Sequence, residues 1–205
     1  MVSAASTALA PLRRRTALVV GVANGRSIAW ACARSLIRGG YDVVTTYQSE
    51  RFRAAVEGLA DRENGAAREA TVAGSPAPGR VVGCLPCDVS DEDSVRELFE
   101  AYLPPLMMVP PPDWEEAVTL SPIEERGGTT ATTTGRGGPR LDALIHCVAH
   151  APPTAMKGGT LLGTGQDDFA AAHSISSYSL VSLARHGLPL LSSAPPPVRY
   201  RPRRR

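Results

Sequence analysis

The residues most able to do chemistry lie in one strand-to-helix turn near the N-terminus. The apolar run from Thr16 to Gly21 predicts a buried parallel strand, and Ser27 and Ile28 open an amphipathic helix that ends at a Gly-Gly pair. A glycine allows a sharp turn, and a helix N-terminus offers backbone N–H groups and a favourable dipole to an anion. The turn therefore predicts a dinucleotide-phosphate cradle. Its Gly-x3-Gly-x-Ser-Ile spacing also fits a glycine-rich turn that binds nothing.

Two other groups of reactive side chains favour structural roles. Cys84 and Cys87 have CxxC spacing, but they lie at a predicted strand exit, whereas a redox pair lies at a helix N-terminus and a zinc site needs a second pair. His146 and His150 lie about 13 Å apart on an extended strand, so no metal site is expected between them. For His146 the choice between lining a site and packing stays open.

The elements that must position these residues alternate regularly along the chain. Apolar runs predict further strands at 41–48, 80–89 and 141–149. Periodicity of 3.6 residues predicts helices between them at 50–62, from 90–93 onward and at 167–191, and the second of these begins with Ser90 as its N-cap and an acidic first turn. This alternation predicts an α/β fold, a Rossmann-type doubly wound parallel sheet that is incomplete at about four strands. Ligands of such sheets bind at the carboxyl ends of the strands.

Composition excludes several classes of partner. The formal net charge of +2 implies no obligatory acidic partner, and we expect no nucleic-acid ligand. No run of 18 apolar residues is present, so no membrane span is expected. Four cysteines without an upstream signal peptide indicate a reducing compartment.

The chain divides into one predicted domain with an insertion and two atypical ends. Residues 1–15 are disordered or resemble a transit peptide, which leaves a plastid or a bacterial-type cytoplasm as alternative locations. Residues 16–191 form the predicted Rossmann domain, with a Pro-, Thr- and Gly-rich insertion at 103–140 that we expect to be mostly disordered. Residues 192–205 form a basic Pro/Arg tail.

Five short blocks of sequence lie where the predicted sheet would present them to a ligand, and they follow one another in a characteristic order along the chain. They are Gly21 to Trp30, Thr46 to Gln48, Cys87 to Val89, Leu144 to Pro152 and Ile175 to Ser179. Together they resemble the NADH-dependent enoyl-acyl carrier protein reductases, a divergent branch of the short-chain dehydrogenase/reductases. The resemblance covers residues 16–102 and 141–191 and leaves the insertion outside it.

The resemblance implies NAD(H) as the cofactor and a role for each matching residue. By position it implies that Gly21, Ser27 and Ile28 lie at the pyrophosphate and that Gln48 lies beside the adenosine ribose. It implies that Asp88 and Val89 lie around the adenine and that Val148 and Ala149 lie at the nicotinamide ribose. Ala151 would contact the acyl substrate. Ala149 replaces the family's glycine, and His150 stands where the family has an apolar aromatic residue.

The residues themselves support part of this assignment. A carboxylate at the end of a strand, such as Asp88, can accept a hydrogen bond from the adenine amino group, although a cap or turn residue would look the same. A neutral Gln48 favours NADH, whereas Arg51 and Arg53 leave NADPH open because arginine accommodates a 2′-phosphate.

The implied activity is NADH-dependent reduction of a trans-2-enoyl thioester on acyl carrier protein, in type II fatty-acid synthesis. The family's catalytic tyrosine and lysine follow a fifth strand, and the single lysine here, Lys157, lies too early to match. Tyr178 and Arg185 have the family's spacing of seven residues, but they fall in the preceding helix and arginine has a different donor geometry. We therefore expect packing or subunit contact from that helix and assign no catalytic residue.

The chain is thus predicted to be a catalytically incomplete fragment of such a reductase. Two alternatives stay open: a non-catalytic nucleotide-binding or dimerisation module, and another short-chain dehydrogenase/reductase. A family-like homo-oligomer is compatible with the resemblance, but the lack of the later strands argues against it.

Overall fold

The computed structural model describes residues 14–69, 78–108, 140–156 and 161–191. In chain order the elements are β1 Arg15–Val20, α1 Ile28–Arg38, β2 Tyr41–Tyr47, α2 Glu50–Glu69, β3 Val81–Pro86, α3 Glu92–Glu97, a π-helical turn Leu98–Tyr102, α4 Leu103–Met108, β4 Ala143–His146, α5 Pro153–Met156, a 3₁₀ turn Leu161–Gly163, α6 Gln166–His173, a second π-helical turn Ser174–Tyr178 and α7 Ser179–Leu191. The described part does not include residues 1–13 of the predicted N-terminal segment, Lys157 or the basic tail at 192–205.

The four strands form one parallel sheet in the order β3-β2-β1-β4. This arrangement confirms the predicted Rossmann-type α/β fold. The first strand lies between the second and the fourth, so its neighbours continue the sheet in opposite directions. The crevice of a doubly wound sheet forms at such a position.

Helices cover both faces of the sheet, so consecutive residues of the central strands are buried, from 17 to 20 in β1 and from 43 to 47 in β2. Leu18 packs into one buried cluster and the adjacent Val19 into the other, and both side chains are fully buried. The first cluster contains Val44, Leu98, Phe99, Leu103 and Leu183, and the second contains Trp30, Ala33, Ile37, Val43 and Val56. One face is thus covered by α1 and α2, and the other by the helices after β3 and β4.

The second helix is longer than the sequence predicts. We expected it to end near residue 62, and it continues to Glu69 past Asn64 and Gly65, which are poor helix formers. The Asn64 side chain donates to the Val81 carbonyl at 2.9 Å and accepts from the Val81 N–H at 2.8 Å. A contact with a strand 17 residues away therefore holds this part of the helix in place.

The helix after β3 differs from its prediction at both ends. Asp91 rather than Ser90 is its N-cap, because the Asp91 carboxylate accepts from the Asp93 N–H at 3.0 Å. Helical structure then continues through the first π-helical turn to Met108, inside the segment expected to be a disordered insertion. Residues 109–139 lie outside the described part.

The long C-terminal helix is confirmed from Gln166 to Leu191, with a π-helical turn in its middle. A π-helical turn adds one residue to a helical turn and often occurs near functional sites. Among the described helices, none is both long and apolar enough to cross a membrane.

Candidate functional site

A cleft of about 250 Å³ opens at the carboxyl ends of the four strands. Its walls come from the segments after β1, β2, β3 and β4 and from the long helix. This is the position at which doubly wound sheets bind their ligands. The loops meet there because parallel strands all end on the same edge of the sheet.

Gly21 lines the cleft where the ends of β1 and β4 lie close together. Its φ of +99° lies in the region that favours glycine. A Cβ on this residue would lie 2.6 Å from the Cys147 carbonyl oxygen and 3.1 Å from a methyl carbon of Val148. The end of β1 therefore approaches the end of β4 through a position where only glycine fits.

The turn after Gly21 is ordered by its own side chains. Ser27 is the N-cap of α1: its Oγ accepts from the Trp30 N–H at 3.3 Å and donates to the Asn24 carbonyl at 2.7 Å. The Asn24 side chain accepts from the Arg26 N–H at 2.8 Å. These bonds fix the start of α1, whose first-turn N–H groups form an environment that favours an anion.

Asp88 presents a carboxylate at the opposite wall. Its Oδ1 accepts from the Ser90 hydroxyl at 2.6 Å and from the Ser90 N–H at 3.0 Å, and its Oδ2 lies 3.5 Å from Gln48 Nε2. Burial raises the pKa of Asp88, but the hydrogen bonds from Ser90 and Gln48 lower the pKa by more, to below its ordinary value of 3.8. The group is therefore an ionised acceptor near neutral pH.

The segment after β4 is tied to the π-helical turn of the long helix. The Ser176 hydroxyl accepts from the His150 N–H at 2.9 Å and donates to the His150 carbonyl at 3.1 Å. Next to it, Ile175 lines the cleft together with His150. A single hydroxyl thus binds both main-chain groups of a residue at the cleft wall.

His146 supports this wall from behind and does not line the cleft. Its Nε2 lies 2.8 Å from the Ser179 hydroxyl, which itself donates to the Ile175 carbonyl at 2.6 Å. Because that hydroxyl proton is already used, Nε2 must carry the imidazole proton. Burial lowers the pKa of His146 below its ordinary value, so the ring is neutral and its role is packing.

Comparison with known proteins identifies the family. The family model for enoyl-(acyl carrier protein) reductase matches residues 21–104. The enoyl-[acyl-carrier-protein] reductase [NADH] of Bacillus cereus is 31% identical over 174 residues, which cover 85% of this chain and 50% of that protein. The Enterococcus faecalis enzyme of the same name is 30% identical over 181 residues, covering 88% and 52%. The chain belongs to the enoyl-acyl carrier protein reductase family.

Solved reductases of this family share the fold over the same extent. The Aquifex aeolicus NADH enzyme has a TM-score of 0.56 at 28% identity and aligns with 86% of this chain and 50% of its own. The Anaplasma phagocytophilum enzyme, solved with NAD, has a TM-score of 0.57 at 25% identity, with 86% and 49% aligned. A Bacillus cereus enzyme was solved with NADP+ and indole naphthyridinone, with a TM-score of 0.56 at 27% identity, and 87% and 51% aligned. The chain spans about half the length of the relatives it matches.

Most positions that the reductase resemblance singles out come together in the cleft. Six of them line it, namely Gly21, Gln48, Asp88, Val89, Val148 and Ala149. Ser27, Ile28 and Ala151 do not: Ser27 caps α1, Ile28 is 76% exposed and Ala151 is exposed. Their assignment to the pyrophosphate and the acyl substrate stays a prediction.

Nine further residues line the cleft that were not assigned to it from the sequence: Val20, Val22, Ala23, Phe52, Cys87, Ser90, Cys147, His150 and Ile175. Ser90 was expected to cap a helix, and a polar residue two positions after a carboxylate is the signal that could have indicated its contact with Asp88. Phe52 and Ile175 lie on helices, and their sequence periodicity does not distinguish a cleft wall from a core.

The remaining candidate groups lie away from the cleft or are buried. Arg185 donates to the Tyr178 hydroxyl at 3.2 Å and pairs with Glu92 at 3.5 Å, and neither Tyr178 nor Arg185 lines the cleft. Burial raises the pKa of the Cys87 thiol to about 12. The four cysteines are free, and no group of three His, Cys, Asp or Glu side chains in the described ranges could hold a metal ion.

Proposed function

We propose that the cleft binds NADH and that this chain supplies the cofactor-binding part of an enoyl-acyl carrier protein reductase of type II fatty-acid synthesis. The observation that carries the proposal is the meeting of Gly21 and Asp88 in one cleft at the switch point of the sheet. The adenine end of the cofactor is assigned to Asp88 and Val89, and the nicotinamide end to Val148 and Ala149.

The residues present suit a dinucleotide. The absence of a Cβ at Gly21 lets the ends of β1 and β4 approach each other beside the cleft, and the N-terminus of α1 favours the pyrophosphate charge. Asp88 offers an ionised acceptor for an adenine amino group. Gln48 is exposed and neutral beside Asp88, so it can bind a ribose hydroxyl without adding charge.

The chemistry of the proposed reaction divides between cofactor and protein. Bound NADH would supply a hydride from nicotinamide C4 to the 2,3 double bond of the enoyl thioester, and solvent water would supply the proton that completes the reduction. Val148 and Ile175 contribute apolar side chains to the lining of the cleft. No tyrosine or lysine of the described residues lines the cleft, so this chain's assigned role is to bind and orient the cofactor.

Local charges favour NADH over NADPH. Arg53 is held between Glu57, at 2.9 Å, and Glu50, at 3.5 Å, so its charge is balanced on α2 itself. Arg51 lies over the ring of Phe52 at 4.4 Å. The 2′-phosphate of NADPH would have to compete with both glutamates for Arg53. NADH has no such phosphate, so these charges favour NADH.

The proposal is tested by titrating the chain with NADH and NADPH in a calorimeter, using Ser27→Asn and Ser27→Asp as a matched pair. Both side chains are good N-caps, so α1 keeps its start in each variant and only the charge differs. We expect Ser27→Asn to bind NADH within severalfold of the unmodified chain, and Ser27→Asp to lose about tenfold or more, because its carboxylate opposes the pyrophosphate. Equal affinities of the two variants for NADH would show that the pyrophosphate does not bind at the start of α1.

A non-catalytic nucleotide-binding module is the second candidate, favoured by the lack of tyrosine and lysine at the cleft wall in the described ranges. NADH oxidation with a crotonyl thioester tests whether this chain is sufficient for the reduction. Turnover would exclude the non-catalytic module, whereas NADH binding without turnover is expected both of that module and of the cofactor-binding part of a reductase. Activity on a ketone with NADPH would instead support another short-chain dehydrogenase/reductase.

A further inference from the structure

We infer that Ser90 is a positioning residue that fixes the Asp88 carboxylate so that the cleft selects a 6-amino purine over a 6-oxo purine. The inference rests on the proposed binding of NADH and concerns the adenine end of that site. It assigns to Ser90 a role in ligand selectivity that acts through Asp88.

Two hydrogen bonds from one residue hold one oxygen of the carboxylate. The Ser90 hydroxyl donates to Asp88 Oδ1 at 2.6 Å, and the Ser90 N–H donates to the same oxygen at 3.0 Å. Rotation of the carboxylate would break both bonds together. Ser90 and Asp88 both line the cleft, so the fixed orientation is presented to the ligand.

The other oxygen is left for the ligand. Gln48 Nε2 approaches Asp88 Oδ2 only to 3.5 Å, at the outer limit of a hydrogen bond, from an exposed side chain. An ionised carboxylate oxygen can only accept hydrogen bonds. It therefore attracts the exocyclic amino group of adenine and repels the carbonyl oxygen that takes its place in hypoxanthine.

The main chain of Asp88 is held separately from its carboxylate. The Asp88 N–H donates to Ser94 Oγ at 3.0 Å, and the Asp88 carbonyl accepts from the Asp91 N–H at 3.1 Å. Loss of the Ser94 hydroxyl should therefore loosen the turn, whereas loss of the Ser90 hydroxyl should free the carboxylate. This difference supplies a matched control.

The experiment compares the affinities of NADH and of reduced nicotinamide hypoxanthine dinucleotide, which differ in the group at position 6 of the purine and in the proton that hypoxanthine carries on N1. We expect the unmodified chain to prefer NADH by about tenfold or more, the usual effect of a hydrogen bond to a charged group. Ser90→Ala should reduce this preference severalfold, and Ser90→Thr, which keeps a hydroxyl, should retain it. Ser94→Ala should keep the preference even where both affinities fall.

The isosteric pair Ser90→Thr and Ser90→Val repeats the test without a change of volume, and far-ultraviolet circular dichroism checks that each variant is folded. If the unmodified chain binds neither dinucleotide, the proposed function fails. If it binds both equally, or if Ser90→Ala and Ser90→Val keep the full preference, the role of Ser90 is overturned while the proposed function stands.

Discussion

At the scale of single residues, Gly21 is restricted both by its backbone conformation and by its neighbours in β4 and the segment after it. A positive φ and the nearby Cys147 carbonyl each oppose a side chain there. Gly40 provides an internal comparison, because its φ of +81° is also positive but a Cβ on it would meet nothing within 4 Å. The two glycines therefore separate the cost of backbone conformation from the cost of a steric clash.

We expect Gly40→Ala to lower the free energy of unfolding by about 1–2 kcal/mol, the usual cost of an L-residue in the left-handed region. Gly21→Ala should cost clearly more, because the clash adds to the strain, and it should abolish NADH binding. Urea denaturation and calorimetric titration measure the two effects. Equal losses of stability in the two variants would show that the strand ends relax to admit a methyl group.

The buried thiol of Cys87 gives a prediction on pH. Burial, followed by the charge of Asp88, raises the pKa of this thiol from 9.0 to about 12, so at pH 8 it should resist iodoacetamide in the folded protein and react once the protein is unfolded. Because the folded pKa is raised, the contribution to stability is complete below pH 9.0 and is lost as the pH rises towards 12. Peptide mass mapping checks the labelling, and rapid alkylation of Cys87 in the folded state at pH 8 would contradict this account.

At the scale of elements, α7 packs closely against the first π-helical turn through Gly187. A Cβ on this residue would lie 2.9 Å from Phe99 Cε1 and 3.1 Å from its Cζ. Gly65 in α2 is the contrasting case, since a Cβ there would meet nothing within 4 Å. One helical glycine is thus required by packing, and the other only weakens its helix.

We expect Gly187→Ala to destabilise the fold by about 1–3 kcal/mol, because an extra methyl group would displace the Phe99 ring in a packed core. Gly65→Ala should stabilise it by about 0.5–1 kcal/mol through helix propensity. Chemical denaturation of both variants gives the comparison. A stabilising Gly187→Ala would mean that the ring moves aside without cost.

At the scale of the whole molecule, the two edges of the described sheet differ. The β3 edge ends at Pro86, and its Val81 backbone groups are paired with the Asn64 side chain. β4 pairs with β1 alone among the described strands, and its sequence is Ala-Leu-Ile-His. An apolar parallel edge strand of this kind is a template for association.

We therefore expect the 205-residue polypeptide to associate in a concentration-dependent way, because pairing at β4 would satisfy backbone groups on that edge. Sedimentation velocity and light scattering over a range of concentrations measure the association, and hydrogen exchange shows whether β4 gains protection. A monomer at every concentration, with a sharp cooperative melt, would show that this edge is protected in another way.

The amino-acid sequence alone determines the alternation of strands and helices, the parallel sheet and the end of the sheet that carries the cleft. These features follow from local apolar periodicity and from the rule that parallel strands end on one edge. Gly21 and Asp88 could be assigned to the same site for that reason, although they are far apart in sequence.

Only the tertiary structure decided the features that depend on contacts between distant segments. The extension of α2 needs Val81, and the wall at Ile175 needs the contact of the neighbouring Ser176 with His150 after β4. Arg185 lies away from the cleft, where it contacts Tyr178 and pairs with Glu92. Helical periodicity places a residue on one face of its own helix, but it does not say which neighbour that face meets. That choice is made by packing, whose energy depends on pairs of residues rather than on either one alone.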